Sequence, residues 1–149
     1  MIDFLAGNIL NSHAEVIVNP VNCLGVSGAG LALQLKQRFP KNYRIYRQIC
    51  KAGKLRPGRV LIVAIPKIIA NSPQRYIANF PTKDDWRDPS KLEYITSGLK
   101  RLIPELKAMK VKSIAFPKLG CGLGGLSWET QVYPAIEKAF NSVPDIKVY

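Results

Sequence analysis

Two glycine-rich segments, Leu24-Gly25-Val26-Ser27-Gly28-Ala29-Gly30-Leu31 and Leu119-Gly120-Cys121-Gly122-Leu123-Gly124-Gly125-Leu126, each fall between an apolar strand-like run and a helix-like run. Glycine stands where the backbone needs φ > 0 or must approach a ligand closely, and the N–H groups that open a helix present partial positive charge to an anion. Two such segments in matching context point to paired backbone cradles for one diphosphate, hence a nucleotide-diphosphate ligand. Taken singly, each is equally a tight turn. The first loop places its glycines at 25, 28 and 30, which is not GxGxxG, and about 20 residues on stands Cys50 rather than an acid. With no GxxxxGK[ST] either, a Rossmann dehydrogenase and a P-loop NTPase are both disfavoured. Cys23, Cys50, Cys121 and the single His13 are widely spaced and include no CxxC pair. They argue against a zinc site and a disulfide framework, so reduced thiols, no metal and no cofactor are expected.

Composition sets the class. The 149 residues, 47% hydrophobic and 21% charged, suit one globular domain over 1–149 with a sizeable core. No apolar run nears the roughly 20 residues of a membrane span, and the N-terminus lacks a basic region followed by an apolar segment. The expectation is a soluble, cytoplasmic monomer with no membrane partner. The formal net charge of +12 would attract polyanions, nucleic acid first. Much of it lies in residues 36–38, 41–47 and 51–59, as a solvated helix surface or a nucleic-acid track.

The elements that must position the loops follow from periodicity. Residues 2–5 and 15–18 read as short strands, the second leading through Asn19-Pro20-Val21-Asn22 into the first glycine loop. A run of helix formers follows Gly30 and stops at Pro40; residues 42–51 form a second helix ended by Gly53. Residues 59–65 and 75–80, rich in Val, Ile and aromatics, read as strands joined by a connection at 66–73. Ser90 with Glu93 has a capping-box pattern ahead of Leu92, Ile95, Leu99, Leu102, Leu106 and Met109 at helical period, with a kink or break expected near Pro104. Residues 112–116 read as a buried strand, 128–140 as a last helix and 146–149 as a last strand. Strands alternating with helices imply an α/β sheet covered on both faces. Ligands of such sheets sit beyond the carboxyl ends of strands, where Asn22, both glycine loops and Thr82-Lys83 all fall.

The combination of Gly7-Asn8-Ile9-Leu10, Val18-Asn19-Pro20-Val21-Asn22, residues 25–34, Arg56-Pro57-Gly58, Asn79-Phe80-Pro81-Thr82-Lys83 with Trp86-Arg87, and residues 117–128 resembles a macrodomain, of the DarG type, over essentially the whole chain. The resemblance implies a three-layer α/β/α sandwich with a central mixed sheet, and ADP-ribose as ligand. It implies an antitoxin that removes ADP-ribose from thymidine in DNA, reversing the modification made by a DarT-type partner toxin. A related eukaryotic branch releases terminal ADP-ribose from proteins. Carried over, Asn8 and Ile9 lie near adenine. Pro20, Val21, Gly28, Ala29, Gly30 and Leu31, with Leu119, Gly120, Cys121, Gly122 and Leu123, take the diphosphate and distal ribose. Gln34 and Thr82 orient the ligand, and Lys83 and Asn22 are catalytic, Asn22 holding the distal ribose at the scissile bond.

Two departures bear on this. Many macrodomains have Asp where Asn8 stands, so adenine would meet an amide oxygen. The eukaryotic branch has Asp after its Gly-Cys-Gly-Leu, where Gly124 stands here, which favours the DNA-directed reading over the protein-directed one. Hydrolysis at the anomeric carbon develops cationic character on the sugar and needs a nucleophile or oriented water and a tolerable leaving group; a thymine imide anion leaves more readily than an amide. Lys83 either attacks as an amine or stabilises the leaving group as an ammonium. Trp86 stacks on a flipped or single-stranded base, with Arg87 on phosphate, or is a packing residue. Trp128 reads as core, His13 as an exposed loop residue and Cys121 as a small residue fitting a tight loop. A reader that binds ADP-ribose without cleaving it is the alternative function, and a general basic nucleic-acid binder a third.

Overall fold

The computed structural model describes residues 2–66 and 74–149. Five strands, β1 (Val16–Val21), β2 (Leu61–Ala64), β3 (Tyr76–Pro81), β4 (Ser113–Ala115) and β5 (Lys147–Val148), form one sheet in the order β2-β3-β1-β4-β5. β1 pairs parallel to both β3 and β4, β5 pairs parallel to β4, and only β2 runs antiparallel, against β3. The helices are α1 (Gly30–Arg38), α2 (Pro40–Lys51), α3 (Leu92–Ala108) and α4 (Tyr133–Phe140). The expected sandwich with a mixed central sheet is the fold observed.

Strand alternation distributes the core between the two faces. Val16 and Val18 enter the large cluster with Ile95, Leu99 and Leu102 of α3 and Ile136 and Phe140 of α4. Ile17 turns the other way, onto Leu35 and Phe39 beside α1, and Val21 onto Tyr46 and Cys50 of α2. Because β1 is covered on both faces, it opens with the continuous apolar run Val16-Ile17-Val18 rather than an alternating pattern, and its buried Asn19 donates its amide to Asn79 Oδ1.

The structure differs from the sequence-based expectation at several places, each for a local reason. β1 extends through Pro20 to Val21 rather than stopping at 18. Proline is normally excluded from a central strand because it donates no hydrogen bond. Here β1 pairs with β4 only as far as Ile17↔Ala115 but with β3 as far as Val21↔Pro81. The Val21 carbonyl accepts from Thr82 N on the β3 side, so alternation turns the nitrogen of Pro20 toward the side where no strand remains. Residues 2–5 are not a strand: Ile2 makes a single bridge to Val148 and Asp3 N bonds to the Val148 carbonyl, after which the chain peels away and leaves Phe4 and Leu5 exposed.

The capping box of Ser90 and Glu93 does not form. The residue before α3 is Lys91, and Ser90 instead donates its N–H to Gly124 O with its hydroxyl buried and unpartnered. α3 runs through Pro104 without a break, the lost bond being offset by the burial of Leu99, Leu102 and Leu106 around it. The last helix opens as a π-helical turn, Trp128–Val132, before α4; Pro134 lacks the N–H an uninterrupted α-helix would need. The expected 66–73 connection lies, beyond Pro66, outside the described residues.

Candidate functional site

Three parallel strands end at one edge of the sheet, so the segments that leave them must share a rim. β1 delivers Asn22 and the first glycine loop, β3 delivers Thr82 and Lys83, and β4 delivers residues 116–126. Backbone hydrogen bonds tie the three segments together: Thr82 N to Val21 O at 2.9 Å, Cys23 N to Asp84 O at 3.0 Å, and, beyond the Lys83 loop, Ser90 N to Gly124 O at 3.0 Å.

The first loop is organised around Asn22. Its Oδ1 accepts from Leu24 N at 3.0 Å, Val26 N at 3.3 Å and the Tyr46 hydroxyl at 3.0 Å, while Nδ2 donates to Val26 O at 2.8 Å. One amide hydrogen is left to offer a ligand. Tyr46, buried in α2, also donates to Asn22 O, and Tyr43 donates to Gly25 O. Gly25 has φ +83° with Arg47 and Cys50 close beneath it, a left-handed turn that other residues rarely adopt. Beyond it Gly28, Ala29 and Gly30 are exposed. The N–H groups that open α1 after Ala29 have neither a side-chain cap nor an acidic neighbour in the first turn. Leu31 is half-buried, Gln34 lies on the exposed face of α1, and Pro20 is half-buried at the end of β1.

In the second loop Leu126 N closes back on Gly120 O at 2.9 Å. Gly122 has open space where a side chain would be, and Leu123 is 93% exposed at the tip. Cys121 is half-buried with its thiol donating to Leu119 O, and burial raises its pKa, so it has no character of an activated nucleophile. The side chains of Val21 and Leu119 belong to the core, which leaves only their main-chain atoms for a ligand.

The Lys83 loop is internally braced. The half-buried Lys83 donates its Nζ to Trp86 O at 3.2 Å. Asp85 accepts from Arg87 N and, in a bidentate ion pair, from its guanidinium, which holds the carboxyl down at about 2. Arg87 is thus already paired, and the uncompensated cation of this loop is Lys83. Trp86 is 52% exposed, with the Arg87 guanidinium 5.8 Å from its ring centre.

A cleft of about 620 Å³ opens on the β4 side of the rim, lined by Phe4, Asn8, Ile9, Leu31, Phe116 and Trp128 among others. Asn8 Oδ1 caps the 3-10 turn Ile9–Asn11 by accepting from Leu10 N, leaving one lone pair free. Trp128, which reads from the sequence as core, packs against the large core cluster and is half-buried, its remaining surface lining this wall with Phe4 edge-on and Tyr133 tilted beside it. Phe4 is not singled out by the sequence reading; its signal is an apolar residue that the following strand pattern does not continue. Among the described residues the large apolar side chains left exposed are Phe4, Leu5, Leu24, Val26, Trp86 and Leu123. Phe4 and Leu5 line the cleft, and the other four lie on the two glycine loops and the Lys83 loop. No cluster of three metal-ligating side chains occurs among the described residues.

The family model of the Macro domain matches residues 18–133. The chain belongs to the Macro domain family. Its fold superposes on the macrodomain of Mycobacterium tuberculosis DarG with a TM-score of 0.94 at 40% identity, covering 99% of this chain and 95% of that one. It is 41% identical over its full length to the DNA ADP-ribosyl glycohydrolase of Thermus aquaticus, and spans about 40% of the length of that relative. Thermosipho africanus DarTG in complex with ADP-ribose matches 95% of this chain, and 39% of its own length is covered, at 33% identity and a TM-score of 0.86.

As a macrodomain the chain shows why position 124 is glycine. A Cβ there would overlap Gly120 O and Ser90 Oγ and lie 2.9 Å from the Gly120 carbonyl carbon. The backbone carbonyl of Gly120 closes this position to a side chain, and the Ser90 hydroxyl, set against the loop instead of capping α3, crowds it further.

Proposed function

We propose that this macrodomain, residues 1–149, is a glycohydrolase that removes ADP-ribose from thymidine in single-stranded DNA, as the antitoxin to a DarT-type toxin, acting as a cytoplasmic monomer. The reading is supported by the names of its relatives, DNA ADP-ribosyl glycohydrolase in Thermus aquaticus and a transferase–glycohydrolase fusion in Thermosipho africanus. The observation that carries it is the placement of Lys83. Its amino group donates to Trp86 O on a braced loop, hydrogen-bonded through Asp84 to the first glycine loop, beside an exposed Trp86.

In this reading the N–H groups at 28–30 and the second loop hold the diphosphate, with Asn8 and Ile9 in the cleft at the adenine end. Thr82, Gln34 and the free amide hydrogen of Asn22 orient the distal ribose. The bond between the anomeric carbon and the imide nitrogen breaks; water supplies hydroxide to the sugar and a proton to the base. Lys83 has donors left after the Trp86 carbonyl to stabilise the departing imide. Trp86 stacks on the released or neighbouring base, as aromatics do for about 1–3 kcal/mol. A second reading, a reader that binds without cleaving, draws on Asn22, whose side chain is largely committed to holding its own loop. Protein-directed cleavage is disfavoured by the closed position at Gly124.

The test is release of ADP-ribose from thymidine-ADP-ribosylated single-stranded DNA by the native chain and by Lys83→Ala. Release by the native chain alone supports the eraser. Retained activity in Lys83→Ala removes the lysine from the mechanism, and ADP-ribose binding without release by either makes the protein a reader.

A further inference from the structure

All of the net positive charge resides in one acid-free stretch. Residues 16–83 hold twelve of the 22 Lys and Arg and none of the ten Asp and Glu, so the remainder of the chain carries ten of each sign and is neutral. The remainder mixes its signs as an ordinary solvated surface does. The stretch accepts like-charge repulsion with no acid to relieve it.

The fold gathers part of this charge onto one face. α2 buries Asn42, Tyr46 and Cys50, which leaves Arg44, Arg47 and Lys51 exposed at i, i+3 and i+7, a single stripe about 10 Å long. Among the described residues the ion pairs are Arg87–Asp85 and Lys147–Asp3, so nothing neutralises the stripe. It is also continuous with the site. The hydroxyls of Tyr43 and Tyr46 bind α2 to Gly25 and Asn22, and the Arg47 side-chain stem lies 3.5 Å from where a Cβ on Gly25 would stand. Across that loop, Cys23 N holds Asp84 O, next to Lys83 and Trp86.

We infer that the stripe Arg44, Arg47 and Lys51 is a track for the phosphodiester backbone of the single strand flanking the modified nucleotide. The identity of the strand as substrate rests on the proposed glycohydrolase reading; the surface itself does not. Three neutralised phosphates on a single strand give a slope of log K against log salt of about −2, or roughly a 20-fold loss of affinity between 50 and 200 mM salt.

The experiment is fluorescence anisotropy of an unmodified single-stranded oligonucleotide over that salt range. It compares the native chain, Arg44→Gln/Arg47→Gln/Lys51→Gln, and Lys100→Gln/Arg101→Gln/Lys107→Gln, which removes equal charge from the exposed side of α3. The expected result is that the α2 variant binds at least about 10-fold more weakly at 50 mM salt with a slope shallower by about 2, whereas the α3 variant stays within a few-fold of native. ADP-ribose binding by the α2 variant, measured by calorimetry, should be unchanged, which shows that the site is intact. Equal losses in both variants, native-like binding by the α2 variant, or no strand binding by the native chain would each overturn the track. Tighter binding of a duplex of the same length would overturn its single-strand assignment. If the native chain fails to cleave a modified strand while the α2 variant still loses strand binding, the glycohydrolase reading fails and the track stands.

Discussion

Replacing Gly124 by alanine adds one methyl group at the point where the second glycine loop, the Ser90 segment and the start of α3 meet. The new carbon would overlap Gly120 O and Ser90 Oγ and sit 2.9 Å from the Gly120 carbonyl carbon, where ordinary contact begins at 3.4 Å. Ser90 Oγ has no hydrogen-bond partner and could rotate aside, but the Gly120 carbonyl is backbone and accepts from Leu126 N. Moving it by half an ångström or more loosens that bond and the Ser90 N to Gly124 O bond alongside it. Overpacking costs about 1–3 kcal/mol and a loosened buried hydrogen bond about 1 kcal/mol more, so the expected loss of stability is about 2–4 kcal/mol. For a chain of this size that is a fall in Tm of roughly 5–15 °C. The assay is thermal unfolding with calorimetric titration of ADP-ribose, and Gly122→Ala is the control because its Cβ meets nothing within 4 Å. If the loop relaxes instead of the fold, the loss moves into ADP-ribose affinity, which falls at least about tenfold. Native stability together with native affinity in Gly124→Ala would refute the claim that this position is closed to side chains, and with it the structural argument against protein-directed activity.

Asn22→Ala should lower stability by about 2–4 kcal/mol and weaken ADP-ribose binding, because Leu24 N and Val26 N lose their acceptor and Val26 O its donor, while the Tyr46 hydroxyl keeps the Asn22 main-chain oxygen; denaturant unfolding that matches the native chain would assign Asn22 to chemistry alone. Burial, and then the charge of Asp84, push the Cys23 thiol up from 9.0 to about 12, and burial likewise raises Tyr46. A raised folded-state pKa means the unfolded chain loses protons first, so the contribution is complete below about pH 9 and disappears as pH rises toward about 12. Tm measured from pH 8 to 11 should therefore fall, and Cys23→Ala should flatten part of the decline; a flat native profile would contradict the burial of these groups.

The fold was legible wherever a local pattern and the tertiary environment agree. The periods of 92–109 and 42–51, and the apolar runs that became β1, β3 and β4, depend on which side of an element meets the core, and a sequence states that directly. Ser90 shows the limit. Its spacing to Glu93 satisfies a capping box, yet the second glycine loop lies close enough to take its N–H and bury its hydroxyl, a competitor about 34 residues away in sequence. Pro20 failed in the opposite sense, since its penalty vanishes only because β4 ends early. In the site, the two glycine loops and the Lys83 segment were visible as motifs, while the cleft wall at Phe4 was not, because exposure of an apolar residue is a property of the assembled surface.

By itself the amino-acid sequence determined that an α/β sheet would bring its glycine loops and Lys83 to the carboxyl ends of its strands, and that all net charge would lie between residues 16 and 83. These are consequences of order along the chain and of period. Only the tertiary structure decided that Asn22 holds its own loop, that Arg87 is paired with Asp85, that Gly124 admits no carboxylate, and that Arg44, Arg47 and Lys51 form a stripe beside the site. Each depends on which groups compete for the same atom or the same few ångströms of space, and that competition is settled between segments far apart in the chain.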